Sequence, residues 1–433
     1  MAVKLVEPKN YRKTPDILDS DFENILFNLG VKKEFCIAAS GGPDSLCLIL
    51  LANKFALKNN YKMSVLTVDH QLRKESSEES IWLNKILKRI KIKHYILKWN
   101  GKKPKSNVME TARLKRYELM TDKCLKLNIK HLLTAHHLDD QIENFFMRLV
   151  RGSGLKGLSS MSKSVKMNGI KVIRPLLEYQ KKSLIKVLAN NNQKYVQDPS
   201  NDNSKYDRIR YRKLIGGLID EGLNKNRLNK LILNLNQVDD AINYSTINSI
   251  DKTISQNKYG NIIVDRKIFF KLPKELQFRV LLFVLNNNES KKKRIKSESI
   301  LMLIDILNSY DFKRHTLNKN LFINKKNNIL VVKEAGRIKS KEPIKKKNFI
   351  WRDIYKINIK TQLTSDLKIG FADDSFDKKN HFKEDKILIN SMPAIWKKDK
   401  IISIPFLDKR KKLIATCIPI KIIEFNEYKI LSN

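Results

Sequence analysis

The chain has 433 residues, and its 86 lysines and arginines against 45 aspartates and glutamates give a formal net charge of +41. This length suggests two to four domains, and a hydrophobic content of 42% is too high for a disordered basic tail. No apolar stretch approaches the roughly 20 residues that cross a bilayer, and the N-terminus lacks the pattern of a secretion signal. Four scattered cysteines without a C-x-x-C pair exclude a disulfide framework and favour a reduced, cytoplasmic setting.

The charge excess suggests a polyanionic partner such as a nucleic acid. Codon bias is an alternative source, because the chain is crowded with Lys, Asn and Ile, in runs such as 190–192 and 286–288. A genome rich in A and T enriches those residues in any protein. The net charge therefore suggests a nucleic-acid partner but does not establish one.

The first third of the chain alternates short apolar runs with segments of helical spacing. The apolar runs lie at 35–39, 63–68, 94–97 and 131–134. They have strand length and no clean alternation, as expected of parallel strands that are buried on both faces. Helices are predicted at 44–58, 75–90, 107–127 and 138–150. This order predicts a doubly wound α/β domain with a parallel sheet, in which ligands bind at the carboxyl ends of the strands.

After Arg151 the pattern changes. Further helices are predicted at 179–189, 214–255, 273–285 and 296–307, and a hairpin is predicted at 317–333. The last segment is strand-rich by composition, with strands predicted at 386–389, 400–404 and 413–423. We therefore predict three domains, which are an α/β catalytic domain at 1–215, a helical domain with a hairpin at 216–340, and a small β-rich domain at 349–433.

A glycine-rich loop, Ser40-Gly41-Gly42-Pro43-Asp44-Ser45, lies between the first predicted strand and the first long helix. A helix N-terminus carries unpaired backbone N–H groups, and glycines let the backbone close around an anion. Pro43 suits the first helical turn, and the hydroxyls of Ser40 and Ser45 can donate to phosphate oxygens. Asp44 would repel a bare phosphate, so it indicates a metal ion or a cationic substrate nearby. The alternative is a plain Gly-Gly turn with a serine cap.

The pattern Ser-Gly-Gly-x-Asp-Ser after a strand resembles the signature loop of the N-type ATP pyrophosphatases, the PP-loop superfamily. The resemblance implies an enzyme that cleaves ATP between its α and β phosphates and adenylates a substrate oxygen. It implies that residues 40–45 bind ATP and that Asp44 holds or organises Mg²⁺. The alternative for Asp44 is a capping acid in the first helical turn.

Six further stretches narrow the resemblance, and they are 68–73, 112–117, 132–144, 151–158, 173–177 and 198–210. In this order they resemble the tRNA(Ile)-lysidine synthase family, most specifically over about 30–215. That family uses ATP to ligate free L-lysine to the wobble cytidine of a CAU-anticodon tRNA, through an adenylated cytidine. The implied partners are therefore tRNA(Ile), L-lysine, ATP and Mg²⁺. The oligomeric state stays open, with a homodimer as one alternative.

The resemblance also implies roles for single residues. Asp44, Arg113 and His136 are the predicted catalytic residues, and His70 and Arg73 are predicted to join the nucleotide site. A guanidinium matches phosphate oxygens, which makes the two arginines candidates for contacts to phosphate or to transition-state charge. The alternative for each arginine is a solvated helix residue.

The stretch around residues 136–144 is predicted to receive the lysine substrate. Asp139 and Glu143 lie one helical turn apart and are the predicted partners of its ammonium group. A metal cluster of histidines and aspartates and ordinary dipole partners of a first helical turn are the alternatives. The sequence does not choose whether His136, His137 or an acidic neighbour takes the proton of the lysine amine. Asn144 departs from the family, which usually has threonine there, and this puts the role of position 144 in doubt.

Arginines are concentrated where the α/β domain ends. The predicted tRNA contacts among them are Arg151, Arg174, Arg208 and Arg210. Two other functions stay open at this point. One is tRNA 2-thiolation within the same superfamily, which commonly uses paired or catalytic cysteines that this chain lacks. The other is RNA binding without catalysis, which the intact loop argues against. One architecture hosts many reactions, so the fold alone does not decide.

Overall fold

The computed structural model describes residues 4–9, 16–70, 75–101, 108–196, 207–287, 295–334, 341–352, 354–373, 386–408 and 414–420. The chain forms two compact units, unit 1 over residues 1–240 and unit 2 over residues 241–431. The predicted division into three domains stays a prediction. No helix in the described ranges has both the length and the apolar character that a membrane crossing requires.

Unit 1 alternates strands and helices through most of its length. Its elements are β1 (Leu5–Val6), α1 (Asp19–Asn28), β2 (Glu34–Ala38), α2 (Pro43–Lys58), β3 (Lys62–Asp69), α3 (Glu75–Arg89), β4 (Lys93–Lys98), α4 (Val108–Lys126), β5 (His131–Leu133), α5 (Leu138–Val150), α6 (Leu155–Leu158), β6 (Ser164–Met167), β7 (Ile170–Ile173), α7 (Lys181–Asn190), β8 (Tyr195–Val196), α8 (Asp207–Asp220) and α9 (Lys225–Thr253). The last helix continues into unit 2.

A six-stranded sheet in the order β4-β3-β2-β5-β7-β6 lies at the centre of the described part of unit 1. The predicted α/β fold is confirmed, and the first five of these strands are parallel. The sheet is mixed because β6 pairs antiparallel with β7 through a tight turn at Asn168-Gly169, where both residues have positive φ. The strand order reverses between β2 and β5, and sheets of this type bind ligands at such a switch point.

Helices cover both faces of the sheet. α1, α2, α3 and α7 pack on one face around a core that includes Phe35, Leu48 and Leu184. α4 covers the other face, where Tyr117 and Cys124 pack against strand residues. This two-sided burial explains the unbroken apolar runs of the strands. The helices α5, α8 and α9 share a smaller apolar cluster.

The helices predicted at 44–58, 75–90, 107–127 and 179–189 are confirmed to within two residues, and 138–150 coincides with α5. The helical region predicted from 214 begins earlier, because α8 starts at Asp207. The predicted helical region at 214–255 is divided by a turn. Gly222, with a φ of +99°, lies in that turn and separates α8 from α9. Glycine adopts this left-handed conformation at no steric cost, which makes it suitable for ending a helix.

Unit 2 combines helices with antiparallel sheets. Its elements are β9 (Ile254–Gln256), β10 (Ile262–Asp265), α10 (Arg266–Lys271), α11 (Lys274–Asn287), α12 (Ser297–Asn308), β11 (Arg314–Leu317), β12 (Asn320–Lys325), β13 (Asn328–Lys333), β14 (Glu342–Pro343), β15 (Asn348–Trp351), β16 (Tyr355–Ile359), β17 (Leu367–Phe371), α13 (Lys386–Asn390), β18 (Pro393–Lys397), β19 (Lys400–Ser403) and β20 (Ala415–Pro419). The sheet orders are β11-β12-β13-β10-β9, β14-β17-β18-β19 and β15-β16-β20.

The predicted hairpin at 317–333 is confirmed as β12 and β13, which pair from Asn320–Lys333 to Lys325–Asn328. The predicted strand at 400–404 is confirmed as β19. The strand predicted at 386–389 is wrong, because these residues form the short helix α13. A run of three apolar residues, at 387–389, has no period that separates strand from helix, and burial of Leu388 and Ile389 satisfies either form.

Candidate active site

The predicted phosphate loop connects β2 to the N-terminus of α2 at the switch point of the sheet. Gly41 is buried with a φ of +84°, and a Cβ there would meet Trp82 and Val196 at 3.6 Å. Ser45 Oγ donates to the Gly42 carbonyl at 3.0 Å and accepts from the backbone N–H of Ser40 at 3.3 Å. The Ser45 hydroxyl therefore shapes the loop itself. Pro43 occupies the first turn of α2, as predicted.

His137 is the centre of a charged cluster beside this loop. Its side chain is 2% exposed, and its Nε2 lies 3.6 Å from Oδ2 of both Asp44 and Asp140. Its Nδ1 lies 3.6 Å from Oδ2 of Asp139. Burial alone would lower the pKa of His137, but these carboxylates raise it to about 10. His137 is therefore an imidazolium near neutral pH and is unavailable as a base for the lysine amine.

Asp139 has partners within the protein on both of its oxygens. Its Oδ2 accepts the backbone N–H of Lys181 at 2.7 Å, and its Oδ1 accepts from Nζ of Lys225 at 2.5 Å. Burial raises the pKa of Asp139, but His137, Lys225 and the Lys181 N–H outweigh it and hold the pKa well below its usual value. Asp139 thus links α5 to the first turns of α7 and α9.

Glu143 is the second predicted partner of the lysine substrate. Its side chain is 4% exposed, and Oε1 accepts from Nε of Arg212 on α8. The Nη2 of Arg212 lies 3.5 Å from Oε2 of Glu143. Burial would lower the pKa of Arg212, but Glu143 raises it. The structure therefore places both predicted lysine partners in the same region, and each already contacts a cation of the chain.

Asp44 projects from the first turn of α2 into this region. Its Oδ1 is buried and has no hydrogen-bond partner in the part of the chain that the structure describes, and its Oδ2 lies 3.9 Å from Nζ of Lys181. Burial raises the pKa of Asp44, but His137, Lys181 and Arg212 together lower it below its ordinary value. Asp44 is therefore ionised near neutral pH.

The surroundings of Asp44 fit a magnesium ion that shares its ligands with a nucleotide. Mg²⁺ is usually held by one or two carboxylates together with substrate phosphates rather than by an all-protein cage. An unpaired carboxylate oxygen beside a phosphate loop supplies that donor. No group of three or more His, Cys, Asp or Glu ligands occurs among the described residues. The alternative of a protein-only metal cluster at 136–140 therefore finds no support in that part of the chain.

Arg113 and Arg174 lie at the same edge of the sheet, on the far side of β5 from the loop. Arg113 is exposed on α4, and its Cζ lies 5.5 Å from the ring centroid of Tyr117. Arg174 follows β7 and is only 7% exposed, with Nη1 donating to the Ser162 carbonyl at 2.8 Å. Burial and the nearby Arg113 lower the pKa of Arg174. Little of the Arg174 side chain is therefore on the open surface.

The remaining predicted residues are more dispersed. His136 is half-buried, and its Nδ1 lies 3.1 Å from Oγ1 of Thr134. His70 follows β3 and packs edge-on against Trp99, with ring centroids 5.8 Å apart. Arg73 lies outside the described residues, as does the side chain of Arg208, while Arg151 and Arg210 are exposed.

Asn144, the departure from the family pattern, has a structural role. Its Nδ2 donates to Oγ of Ser160 at 2.9 Å, and its Oδ1 accepts from Nε of Arg148 at 3.2 Å. Arg148 also donates to the Gly157 carbonyl at 3.0 Å. Asn144 therefore fastens the segment after α5 to the helix, because an amide offers a donor and an acceptor together.

Sequence reasoning missed Lys181 and Lys225 as partners of the acidic residues. Each begins a helix, α7 and α9 respectively. A cation in a first helical turn is unfavourable with the helix dipole, so lysines at both starts were a weak signal of acidic partners nearby. Nothing in the sequence indicated that Asp139 would supply those partners.

Comparisons with known proteins agree with this site. Residues 16–218 match a family profile described as a PP-loop domain. The tRNA(Ile)-lysidine synthase of Orientia tsutsugamushi is 31% identical over 395 residues, covering 86% of this chain and 89% of that protein. The tRNA(Ile)-lysidine synthase of Rickettsia prowazekii is 32% identical over 401 residues, covering 89% of this chain and 92% of that protein.

Among solved structures, a U34-tRNA thiolase from Methanococcus maripaludis with its [4Fe-4S] cluster is similar over 53% of this chain and 87% of that chain, at 16% identity and a TM-score of 0.44. That degree of likeness has no bearing on activity. The relatives above exceed 30% identity over most of their own length and over most of this sequence. This chain belongs to the tRNA(Ile)-lysidine synthase family.

Proposed function

We propose that this enzyme uses ATP to ligate L-lysine to C2 of the wobble cytidine in tRNA(Ile) with a CAU anticodon, in the cytoplasm. The observation that carries the proposal is the meeting of the phosphate loop with the acidic N-terminus of α5 at the switch point. There Asp44 Oδ2 and Asp140 Oδ2 lie 3.6 Å from one buried imidazole nitrogen. Such a site can hold a nucleotide next to an ammonium-bearing substrate, which this reaction requires.

In the proposed first step, O2 of the cytidine attacks the α phosphate of ATP, and pyrophosphate leaves. The N–H groups at the start of α2 and the glycine backbone of the loop orient the phosphates. Mg²⁺ held at Asp44 would offset phosphate charge and ease the departure of pyrophosphate. Arg113, exposed at the same sheet edge, contacts the RNA or the developing charge.

In the proposed second step, the ε-amine of lysine attacks C2, the C2–O2 bond breaks, and AMP leaves with O2. The amine must lose a proton first, because an ammonium group has no lone pair. His137 is excluded as the base, since the carboxylates around it raise its pKa to about 10. His136, half-buried and hydrogen-bonded to Thr134, is the candidate acceptor of that proton.

Asp139 and Glu143 are proposed to receive the lysine substrate. Asp139 Oδ1 already accepts from the ammonium of Lys225 at 2.5 Å, so this carboxylate binds the chemical group that the substrate carries. We propose that the substrate ammonium displaces Lys225 and that Arg212 keeps Glu143 ionised and in place. The proposed tRNA contacts are the exposed Arg151 and Arg210, together with Arg208 and Arg174.

The test is pyrophosphate release from ATP by the full chain. We expect pyrophosphate release to require the CAU-anticodon tRNA. When radiolabelled lysine is added, we expect the label to be incorporated into that tRNA. Adenosine at the wobble position is the matched control, since it has no O2 to adenylate. No incorporation of lysine by active, folded enzyme would contradict the proposal.

The rival thiolation activity needs a nucleophilic sulfur. Cys36, Cys47 and Cys124 are buried, and Cys417 lies in unit 2. Burial raises the pKa of the Cys47 thiol well above its usual value, which suppresses its thiolate. Incorporation of labelled sulfur into the tRNA in the same assay would nevertheless favour thiolation. The lysine label and the sulfur label therefore distinguish the two activities.

A further inference from the structure

The part of the sheet edge beyond β5 carries a second cluster of cationic groups, separate from the phosphate loop. Arg174 lies directly after β7, and Arg113 and Tyr117 lie in the first half of α4. Tyr117 is 4% exposed, and it lies close enough to Arg174 to raise the pKa of that guanidinium, against the larger lowering by burial. These three residues, called here the Arg174 cluster, are brought together by the packing of α4 on the sheet.

The guanidinium of Arg174 is held in place by the protein but not neutralised. Its Nη1 donates to the Ser162 carbonyl, and its backbone N–H donates to the Lys163 carbonyl at 2.8 Å. Its Nε is buried and has no acceptor among the described residues. Among the described residues, neither Arg174 nor Arg113 has a carboxylate within 4 Å. A fixed guanidinium with a buried donor to spare is suited to accept an anion.

An isolated buried cation is costly, and a second guanidinium nearby adds repulsion. At this edge of unit 1 the buried His137 and Glu143 both have partners of opposite sign. The arrangement of Arg174 and Arg113 therefore needs an external counter-charge. The planar, forked donors of guanidinium groups match phosphate oxygens better than a single carboxylate.

The strand order bears on the source of that phosphate. The phosphate loop follows β2 and Arg174 follows β7, with β5 between them. Neighbouring strands lie about 4.8 Å apart, so the two positions are roughly 10 Å apart along the edge. ATP phosphates that lie in the loop are then distant from Arg174. A nucleotide whose base enters the switch point between β2 and β5 would extend its backbone towards β7.

We propose that Arg174 and Arg113, supported by Tyr117, form a binding site for an RNA phosphodiester next to the reacting nucleotide. The inference rests on the proposed function in requiring tRNA as the substrate. It adds that Arg174 binds from a buried, preorganised position, whereas Arg151 and Arg210 are exposed. A buried donor fixes the register of a backbone more rigidly than an exposed one.

The test is equilibrium binding of the CAU-anticodon tRNA to the full chain, without lysine, at several salt concentrations. Arg174→Gln and Arg113→Gln should each weaken tRNA binding about tenfold. Each should also reduce the slope of the logarithm of the binding constant against the logarithm of the salt concentration by about one. Arg174→Lys should fall between the wild type and Arg174→Gln, because it keeps the charge and loses the fork. Arg89→Gln is the matched control, since Arg89 is exposed in the last turn of α3.

A second titration measures ATP binding to the Arg174 variants without tRNA. We expect the ATP affinity of these variants to stay within about twofold of the wild type, because Arg174 lies two strands away from the phosphate loop. Loss of ATP or pyrophosphate affinity with unchanged tRNA affinity would assign the phosphate to the nucleotide and overturn the RNA inference. The inference would also be overturned if the Arg113→Gln and Arg174→Lys variants both bound tRNA as tightly as the wild type. The side chain of Arg113 is exposed and is not needed for folding, so its variant remains a valid test. These binding assays need no turnover, so they are independent of whether lysine is the second substrate.

Discussion

The two units bury charged side chains in different ways. In the described part of unit 2 the buried charged side chain is Arg279, which is 8% exposed. Its Nε lies 2.7 Å from Oε1 of Glu275, one turn away on the same helix, and its Nη1 donates to Asn243. At the sheet edge of unit 1, by contrast, His137, Glu143 and Arg174 are buried and their neighbours come from several helices.

The difference separates charges that serve the fold from charges that serve a reaction. A pair at i and i+4 forms as soon as its helix forms and needs no distant partner. The cluster in unit 1 costs desolvation free energy that a purely structural role would not require, and within the described ranges it leaves Asp44 Oδ1 and Arg174 Nε without partners. Clusters of this kind, at a switch point, are typical of functional sites. The following predictions test this contrast.

The largest effect is expected for Asp44→Asn. The substitution keeps the size of the side chain but removes the charge that would organise the ATP phosphates and their metal ion. We expect tRNA-dependent pyrophosphate release to fall by roughly 10²–10³-fold, as for loss of one preorganised electrostatic group. Asp19→Asn, on exposed α1, is the control and should stay near wild type. A rate within a factor of three of wild type for Asp44→Asn would remove Asp44 from the proposed chemistry.

The second prediction concerns the stability of unit 1 at alkaline pH, measured without nucleotide or Mg²⁺. The folded-state pKa of His137 is about 10, above its unfolded value of about 6.5, because the lowering of the pKa by burial is outweighed by the carboxylates of Asp44, Asp139 and Asp140. A raised pKa gives stability that is fully present below pH 6.5 and is lost as pH rises through 10. We expect the free energy of unfolding to fall by about 3 kcal/mol between pH 7 and pH 10.

The His137→Gln variant should lack this alkaline loss. His94→Gln is its control, because burial lowers the pKa of His94 to about 4, so that residue is neutral over the whole window. The measurement is the urea midpoint as a function of pH for the three proteins. An alkaline slope that survives in His137→Gln would show that His137 is not the imidazolium at the centre of the cluster.

The third prediction compares the contributions of a buried and an exposed ion pair of unit 1 to the free energy of unfolding. Glu143→Gln leaves the partly exposed guanidinium of Arg212 without its buried carboxylate partner. Breaking a fully buried pair costs about 3–5 kcal/mol, and because 39% of the Arg212 side chain is exposed we expect about 2 kcal/mol of lost unfolding free energy. Glu118→Gln breaks an exposed pair with Lys115 on α4 and should cost less than about 1 kcal/mol. Equal costs would mean that Glu143 is no more than a surface charge.

Local patterns of the sequence were sufficient to predict much of the fold. The limits of α5 were predicted correctly because its apolar residues follow a strong helical period. The meeting of the phosphate loop with the segment at 136–140 was also predictable, since the carboxyl ends of parallel strands share one edge of a sheet. Both results depend on periodicity and chain order, which a single sequence contains.

Partners that come from distant positions were not predictable in this way. Lys225 reaches Asp139 across 86 positions, and no motif marks it. Arg174 was predicted to contact tRNA from an exposed position, but it is mostly buried because the segment at 162–163 folds over it and binds its N–H groups. Tertiary packing decides these contacts, and it overrides the general expectation that arginine is exposed.

The smallest expected effect concerns Lys225→Met, which separates the two roles that remain for Asp139. If Asp139 receives the lysine substrate, Lys225 is an internal competitor, and its removal should lower the KM for lysine about threefold to fivefold, with little change in the KM for ATP. If Asp139 is instead a structural link to α7 and α9, the substitution leaves a buried carboxylate with one cation fewer and lowers the urea midpoint with the lysine KM unchanged. Lys230→Met, at an exposed position on the same helix, is the control for loss of one positive charge. We expect the first outcome, because the ammonium of Lys225 binds Asp139 Oδ1, where we propose that the substrate ammonium binds.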